Sequence, residues 1–506
     1  MNKEGEKVEN TNKTEEYKGT FWRSDRPEDK VEGILKFVNN ENFHPILETN
    51  KPLIKLYEES KKNGIITWTF KNKVFSSDDN VTIFGILDYS TNGNKVSLYN
   101  CVPDNEGITI LEGFIGDDFV EAREYLNMEK FSVDYSLLSD WIGRFEYKLI
   151  TKNEPEDQRY FALQFDEKKP INNQIFINGR HYNIEFVFNS IIEPGPALDS
   201  ITIKELVDVT MSKDTDKINF EEALKLAEYL RAFLSFATME ETKIEKFIGY
   251  SKRESGQSTD DYPAYSKIKH FSFSKNTKPS NEKILKQFML FSYEDLLNNS
   301  IFSEVFQKWA QLYENLELGF INTFFTHSID PMYYLWSLIP RIESYFRNRE
   351  TKLKNENDSR YIMNKEIYDN EVRPKLLDII CSFCKKEEWE KEEETWTSRV
   401  NFLNEATLED ILEELIDENK EIILKSNIMK EDDFLPFIKQ CKDTRNYFAH
   451  FHKEKKKRIP QGMGLVYLTN RLRLLFVVLI LKELGFKDSN IIEAINRARR
   501  RTILPY

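Results

Sequence analysis

The chain has 506 residues, 40% of them hydrophobic and 13% aromatic, and a formal net charge of −13. Such a chain can bury sizeable cores, is long enough for two to four domains, and is not intrinsically disordered. The acidic balance argues against an indiscriminate nucleic-acid coat protein, although it leaves room for a local basic groove; the four scattered cysteines, Cys101, Cys381, Cys384 and Cys441, make no disulfide framework.

In chain order, the opening "MNKEGEKVENTNKTEEYKG" has no apolar core. It reads as a solvated tail over residues 1–18, not as a signal peptide. Residues 19–215 read as a β-rich domain. "VEGILKF", "GIITWTF", "VTIFGILDY", "KVSLYNC", "YFALQF" and "YNIEFVF" are short β-branched and aromatic runs, punctuated by stretches such as "STNGNK" and "INGRHYN". Few helical segments separate them, so antiparallel sheets are expected. From 219 to 238 the apolar period lengthens to about 3.6 and a helix is expected. A polar loop follows at 251–267, then amphipathic helices over 281–297 and 303–325, so 216–325 reads as a mixed connecting region.

Residues 326–506 read as an all-α bundle. "PMYYLWSLIPRIESYFRNRE" puts apolar residues on one helical stripe, with Pro340 expected to kink or restart the helix. The apolar run from Leu474 is interrupted by Lys482 and is too short to span a bilayer, and Gly485 is placed to stop its helix. A reduced, cytoplasmic setting without a membrane follows. The fold class is therefore α+β multidomain, a β-rich N-terminal region followed by an all-α helical bundle.

Charge is segregated within that bundle. Residues 386–421 carry fourteen acidic and four basic side chains, whereas 437–473 carry ten Lys and Arg against Asp443 and Glu454. A basic patch suits phosphate, and Lys442, Lys453, Lys455, Lys456, Lys457 and Arg458 are its RNA-binding candidates. The bland reading of "KEKKKR" is a solvated loop.

Several familiar sites are missing from the sequence. There is no Gly-rich phosphate loop, no His-Glu-x-x-His and no nucleophile elbow. "CSFC" at 381–384 is half a zinc site with no second ligand pair nearby, and the paired acids in "FIGDDF" read as a turn. No metal or cofactor is expected. The segment "KDTRNYFAHFH", residues 442–452, is different. An Arg followed by a His is a cheap pattern, but here one stretch offers Arg445, Asn446, His450 and His452 within a basic surround. On a helix Asn446 and His450 share a face, as do Arg445 and His452. This set supplies what RNA cleavage by proton transfer needs: a base for the ribose 2′-OH, an acid for the departing 5′-oxygen, and a fixed cation for the phosphate. Histidine titrates near neutrality, and arginine stays charged and can hold two phosphate oxygens. The structural alternative is packing, since Tyr447, Phe448 and Phe451 are core-like.

The segment "FIKQCKDTRNYFAHFHKEKKK", followed by a long apolar helix ending "LKELGF", resembles the HEPN ribonuclease domain with its Arg-x(4–6)-His motif. "LWSLIPRIESYFRNR", with Glu343 in mid-helix, resembles that domain's first helix. A preceding β-rich region that opens "GTFWRSDRPEDKVEGILKF" is similar in layout to the ApeA-like anti-phage HEPN proteins. The resemblance implies that Arg445 and His450 are the catalytic pair, with Asn446 beside them and His452 and Glu343 as accessory candidates; His452 also meets the permitted spacing from Arg445. It further implies a metal-independent endoribonuclease that leaves 2′,3′-cyclic phosphates. That enzyme would act as a homodimer through the HEPN domain on cellular RNA, with tRNA one candidate, in abortive infection set off by a phage-derived trigger. Two other readings stay open: a non-catalytic bundle that dimerises and binds RNA or nucleotides, and a scaffold that recognises a phage product through its β region.

Overall fold

The computed structural model describes residues 15–37, 45–51, 53, 57–62, 65–70, 81–88, 94–103, 108–143, 147–153, 159–165, 169–194, 201–214, 216–252, 265–272, 285–297, 301–320, 330–349, 353–354, 357–358, 360–450 and 457–500. The chain divides into two compact units. The first comprises Met1–Leu234, Thr242–Lys286 and Ser292–Ser303; the second comprises Ser235–Glu241, Gln287–Phe291 and Glu304–Tyr506. The architecture is β-rich first and helical second, an α+β multidomain chain.

The strands of the first unit are β1 (Glu15–Arg23), β2 (Arg26–Phe37), β3 (Ile46–Thr49), the hairpin β4 and β5 (Tyr57–Lys62, Ile65–Phe70), β6 (Val81–Leu87), β7 (Lys95–Pro103) and β8 (Ile108–Gly116). They continue with β9 (Asn127–Met128), β10 (Lys130–Tyr135), the hairpin β11 and β12 (Tyr147–Asn153, Arg159–Phe165), β13 (Ile171–Ile177), β14 (Arg180–Pro194), β15 (Ile201–Lys213), β16 (Ile218–Asn219), β17 (Ile244–Lys252) and β18 (Tyr265–Ser272). Strand β1 starts inside the stretch read as tail, so residues 15–18 are paired in the sheet, although Glu15, Glu16 and Lys18 keep their side chains exposed; Glu15 lies opposite Phe37.

The main sheet runs β13-β14-β15-β10-β17-β18-β8-β3-β2-β1-β6-β7, and β7 pairs back onto β8. Strands β8-β3-β2-β1-β6-β7 thereby close into a six-stranded antiparallel barrel, which leaves no free edge within the ring. Its interior is filled by Phe21, Leu35, Leu47, Ile83, Val96, Leu98, Ile110 and Ile115, each at most 1% exposed. A Cβ on Gly85 would stand 2.4 Å from the Phe21 ring, so the glycine is what lets that ring lie flat across β6.

The remaining six strands form an open sheet. Its inner face alternates Ile184 and Phe186 on β14 with Val207, Val209 and Met211 on β15, all buried. The helix Phe220–Thr238 and the aromatic cluster of Trp141, Phe186, Phe233, Tyr293 and Phe302 supply apolar partners, with ring centroids 5.1–6.4 Å apart. The punctuation "NG" proves to be a tight turn: Asn178 (φ 49°) and Gly179 (φ 78°) are both left-handed between β13 and β14, as a type I′ hairpin requires. Strands β17 and β18 fall in the stretch read as connecting region, yet they pair with β10 and β8 inside the main sheet. The polar loop expected at 251–267 is strand at both ends, 251–252 in β17 and 265–267 in β18, and its middle, 253–264, lies outside the described residues, as does most of "STNGNK".

The helix expected over 281–297 is broken into a short 3-10 turn, Lys286–Phe288, and a helix, Tyr293–Leu297. Ser292 explains the restart. Its backbone N–H donates to Asp295 Oδ2 at 2.8 Å, a capping contact that opens a new helix. Likewise the helix begun at Phe302 ends at Asn315, well short of 325.

The second unit is a bundle of the helices Phe302–Asn315, Pro331–Asn348, Arg373–Phe383, Lys386–Phe402, Leu408–Glu418, Lys420–Lys425, Phe434–His450, Met463–Glu483 and Asp488–Arg499, with shorter turns between them; the first two residues of Phe302–Asn315 fall in the first unit. Its core reaches earlier in sequence than residue 326. Phe236 packs on Trp309 at 5.2 Å, and Phe291 on Phe486 at 5.0 Å. The helix Pro331–Asn348 runs through Pro340 without stopping. A mid-helix proline costs about 3 kcal/mol, but Leu335, Leu338, Ile339, Ile342, Tyr345 and Phe346 are buried on both sides of it, at about 1.5–3 kcal/mol for each large apolar side chain.

The helix Met463–Glu483 is central, and its stretch from Leu474 to Leu481 is apolar all round and buried without interruption. It begins well before Leu474, so the expectation that the segment is too short to cross a bilayer does not hold on length and composition; 67% of its most apolar window is buried inside the protein. Gly485 stops it as expected. At φ 88° it lets its own N–H reach Lys482 O and that of Phe486 reach Leu481 O, a Schellman closure.

Candidate functional site

The helix Phe434–His450 carries the motif. Phe437, Ile438, Cys441 and Thr444 are buried along one stripe, and they fix which way the rest of the helix faces. Burial raises the pKa of the Cys441 thiol, which behaves here as a small apolar side chain. Thr444 is fully buried and its hydroxyl finds no hydrogen-bond partner among the described residues.

One position past that stripe, Arg445 turns outward, its side chain 43% exposed. Its Nη2 stands 3.9 Å from Glu343 Oε1 on the helix Pro331–Asn348, and its Nη1 is 3.5 Å from Asn446 Oδ1. Both distances are at the outer limit of such contacts, so the guanidinium is steered by an amide and a carboxylate and saturated by neither. Asn446 is half-buried, and His450 is the last residue of the described helix. At 100° per residue, Asn446 lies roughly 100° and His450 roughly 140° round from Arg445, an arc in the order Arg, Asn, His. His452, Lys453, Lys455 and Lys456 lie outside the described residues.

One turn before the motif, Lys442 forms an ion pair with Glu409 of the helix Leu408–Glu418. That helix starts with a capping box in which Thr407 and Asp410 exchange hydrogen bonds. Arg471 pairs with Asp433 at 2.9 Å. Part of the charge segregation in the sequence is therefore settled internally, acid against base across neighbouring helices. Lys457 and Arg458 remain exposed just before the central helix. Sequence reasoning missed Glu409; the only signal for it was the acidic run itself. It also missed the clamp in which Arg349 bridges Glu414 and Glu418 and ties the Glu343 helix to Leu408–Glu418. Cys381 and Cys384 are free thiols at the end of a helix.

The second unit is a helical bundle that presents a guanidinium outward between a carboxylate and an amide, on a helix described as far as His450 and packed beside a long, largely apolar one, and residues 337–490 of it match the family model Apea-like HEPN. Residues 16–309, more than half of the chain, match the model ApeA N-terminal domain 1. The chain belongs to the ApeA-like family, a β-rich N-terminal region joined to a C-terminal HEPN domain, and that membership points to anti-phage defence. HEPN domains are often ribonucleases. No curated protein and no solved structure matches the chain.

Proposed function

We propose that the protein is a cytoplasmic HEPN endoribonuclease that cuts cellular RNA, with tRNA a leading candidate, during abortive infection. The observation that carries this reading is Arg445, half exposed and only loosely engaged by Glu343 and Asn446. A guanidinium with unsaturated donors at the surface can take two non-bridging oxygens of a phosphate. Asn446 stands between it and His450, where an amide can orient an imidazole.

In this reading the 2′-hydroxyl gives its proton to a histidine and attacks the adjacent phosphorus. The bond from phosphorus to the 5′-oxygen breaks, and that oxygen takes a proton from a second acid. The products are a 2′,3′-cyclic phosphate and a 5′-hydroxyl. Side chains supply the proton transfers and the offsetting charge, so the step calls for no divalent ion. One chain offers few proton-transfer groups, and a two-fold homodimer through the HEPN domain doubles them. Lys457 and Arg458 would track the backbone. The first unit, with no comparable set of groups among its described residues, would sense a phage-derived trigger. The test is a denaturing gel of total RNA or tRNA incubated with purified protein in EDTA, followed by end-group analysis. Cleavage with cyclic-phosphate ends is expected. A strict magnesium requirement, or 3′-hydroxyl ends from the first cut, contradicts the proposal.

A further inference from the structure

The outer face of the open sheet in the first unit carries polar side chains at successive register positions. Gln174 on β13 faces Asn183 on β14, which faces Ser212 on β15, which faces Lys130 on β10. The next row along is Asn172, Glu185 and Thr210. Together they line a concavity of about 590 Å³. The opposite face of the same strands is packed with Ile184, Phe186, Val209 and Met211, so the polar set is not needed to build the core.

Two rows from Lys130, the face changes sign. Asp134 on β10 lies directly opposite Asp208 on β15, a like-charge pair that is unfavourable in a sheet. Lys246 faces Asp134 from the other side, and Asn189 donates to Asp208 at 3.1 Å, while Glu245 adds a third carboxylate nearby. Burial, with Glu245 and Asp208, pushes the Asp134 carboxyl up to about 6, the direction expected where carboxylates crowd a partly buried spot.

We propose that this face binds an extended polypeptide segment, with a Lys or Arg of the ligand seated over Asp134 and Asp208. A carboxamide offers one donor edge and one carbonyl, the same pair that a peptide group presents. Peptide groups facing one way in an extended chain recur every two residues, about 6.6–6.8 Å, which is also the spacing of Asn172 and Gln174 along one strand. Nucleic acid suits the face poorly, because the cations Lys130 and Lys246 are outnumbered there by Glu185, Asp134, Asp208 and Asp214. An oligosaccharide wants an open aromatic platform, and the Tyr250 ring at this edge already has Lys130 Nζ over it, 5.6 Å from its centroid. The inference deepens the sensing role proposed for the first unit, and its test reads binding alone, so its failure is separable from failure to cut RNA.

A random peptide library displayed on phage is panned against the full-length protein, and enriched peptides are synthesised for titration by fluorescence anisotropy. Basic, extended sequences are expected. Their affinity should fall about tenfold or more in the triple variant Asn172→Ala, Gln174→Ala, Asn183→Ala and in Asp208→Asn, with circular-dichroism melts no lower than the parent's. If the triple variant melts early, Gln174→Ala alone, at an exposed position on the outermost strand, carries the comparison. No enrichment, or peptides that bind every variant equally, overturns the proposal. So does binding of only a short single-stranded RNA or a linear oligosaccharide probe.

Discussion

Arg445→Ala separates activity from stability more sharply than any other substitution in the motif. The stability cost follows from the geometry. The ion pair with Glu343 spans 3.9 Å between side chains 43% and 22% exposed. Two unit charges at that distance interact by about 1 kcal/mol at the dielectric of water, and exposed pairs of this kind usually measure about 0.2–1 kcal/mol after screening and side-chain entropy. The 3.5 Å contact with Asn446 adds little. Arg445→Ala should therefore destabilise the second unit by no more than about 1 kcal/mol, a shift of roughly 2–4 °C in Tm for a body of this size. If the guanidinium offsets charge on the reacting phosphate, its removal should slow cleavage by about 10²–10³, the loss seen when one preorganised donor to a developing oxyanion is deleted. The assay pairs calorimetry with single-turnover cleavage of a labelled RNA at saturating protein. A variant that cuts at the parent rate sinks the phosphate role. A variant that melts many degrees lower would mean that Arg445 is structural, contrary to its exposure.

Four further outcomes can be measured. His450→Ala should slow cleavage by about 10²–10⁴ and His452→Ala by less, with equal circular dichroism; the reverse order would move the proton-transfer role to His452. Thr444→Val should raise Tm by a few degrees, because it replaces a buried hydroxyl that has no partner among the described residues with a methyl of the same shape; a drop in Tm would show that the hydroxyl is bonded. Asp134 is raised to about 6 in the fold against an ordinary 3.8, so its stabilising contribution is complete below about 3.8 and is lost as pH climbs through about 6. Asp134→Asn should accordingly raise the Tm of the first unit at pH 8 and barely change it at pH 4, and a pH-independent effect in differential scanning fluorimetry would refute the shift. Finally, a fragment starting at residue 326 lacks Phe236, Phe291 and Trp309 and should melt well below the intact second unit; equal stability by calorimetry would show that those rings are dispensable.

Much of this was legible from pattern alone, where one local cause dominates. Asn178-Gly179 could only be a tight hairpin, and Gly485 after an apolar run could only be a helix stop. The motif helix was readable from its period. Other features depended on partners distant in sequence. Pro340 breaks a lone helix, but not one with buried side chains on both flanks. The helix Lys386–Phe402 escaped notice because its sequence is polar nearly all round, so no apolar period marks it. Closure of the barrel rests on β7 pairing with β8 after β8 has also met β3 and β18, a choice no short window encodes. At the candidate site, residue types announced Arg445, Asn446 and His450. The approach of Glu343 and the capture of Lys442 by Glu409 needed helix packing to appear.

The interleaving of the two units has a consequence for synthesis. Ser235–Glu241 and Gln287–Phe291 belong to the second unit but leave the ribosome before the first unit has its last segment, Ser292–Ser303. At roughly 5–20 residues per second, the remaining chain to Tyr506 takes roughly 10–40 s to appear. Phe236 gains Trp309 within about a second of that point, but Phe291 waits through most of the interval for Phe486, an exposed apolar ring on a nascent chain. A message cut short after the first unit yields no bundle, and an internal start beyond it yields a bundle lacking part of its core. The second unit therefore completes its core only on a chain that also carries the segments around Phe236 and Phe291, which lie in sequence between parts of the β-rich unit.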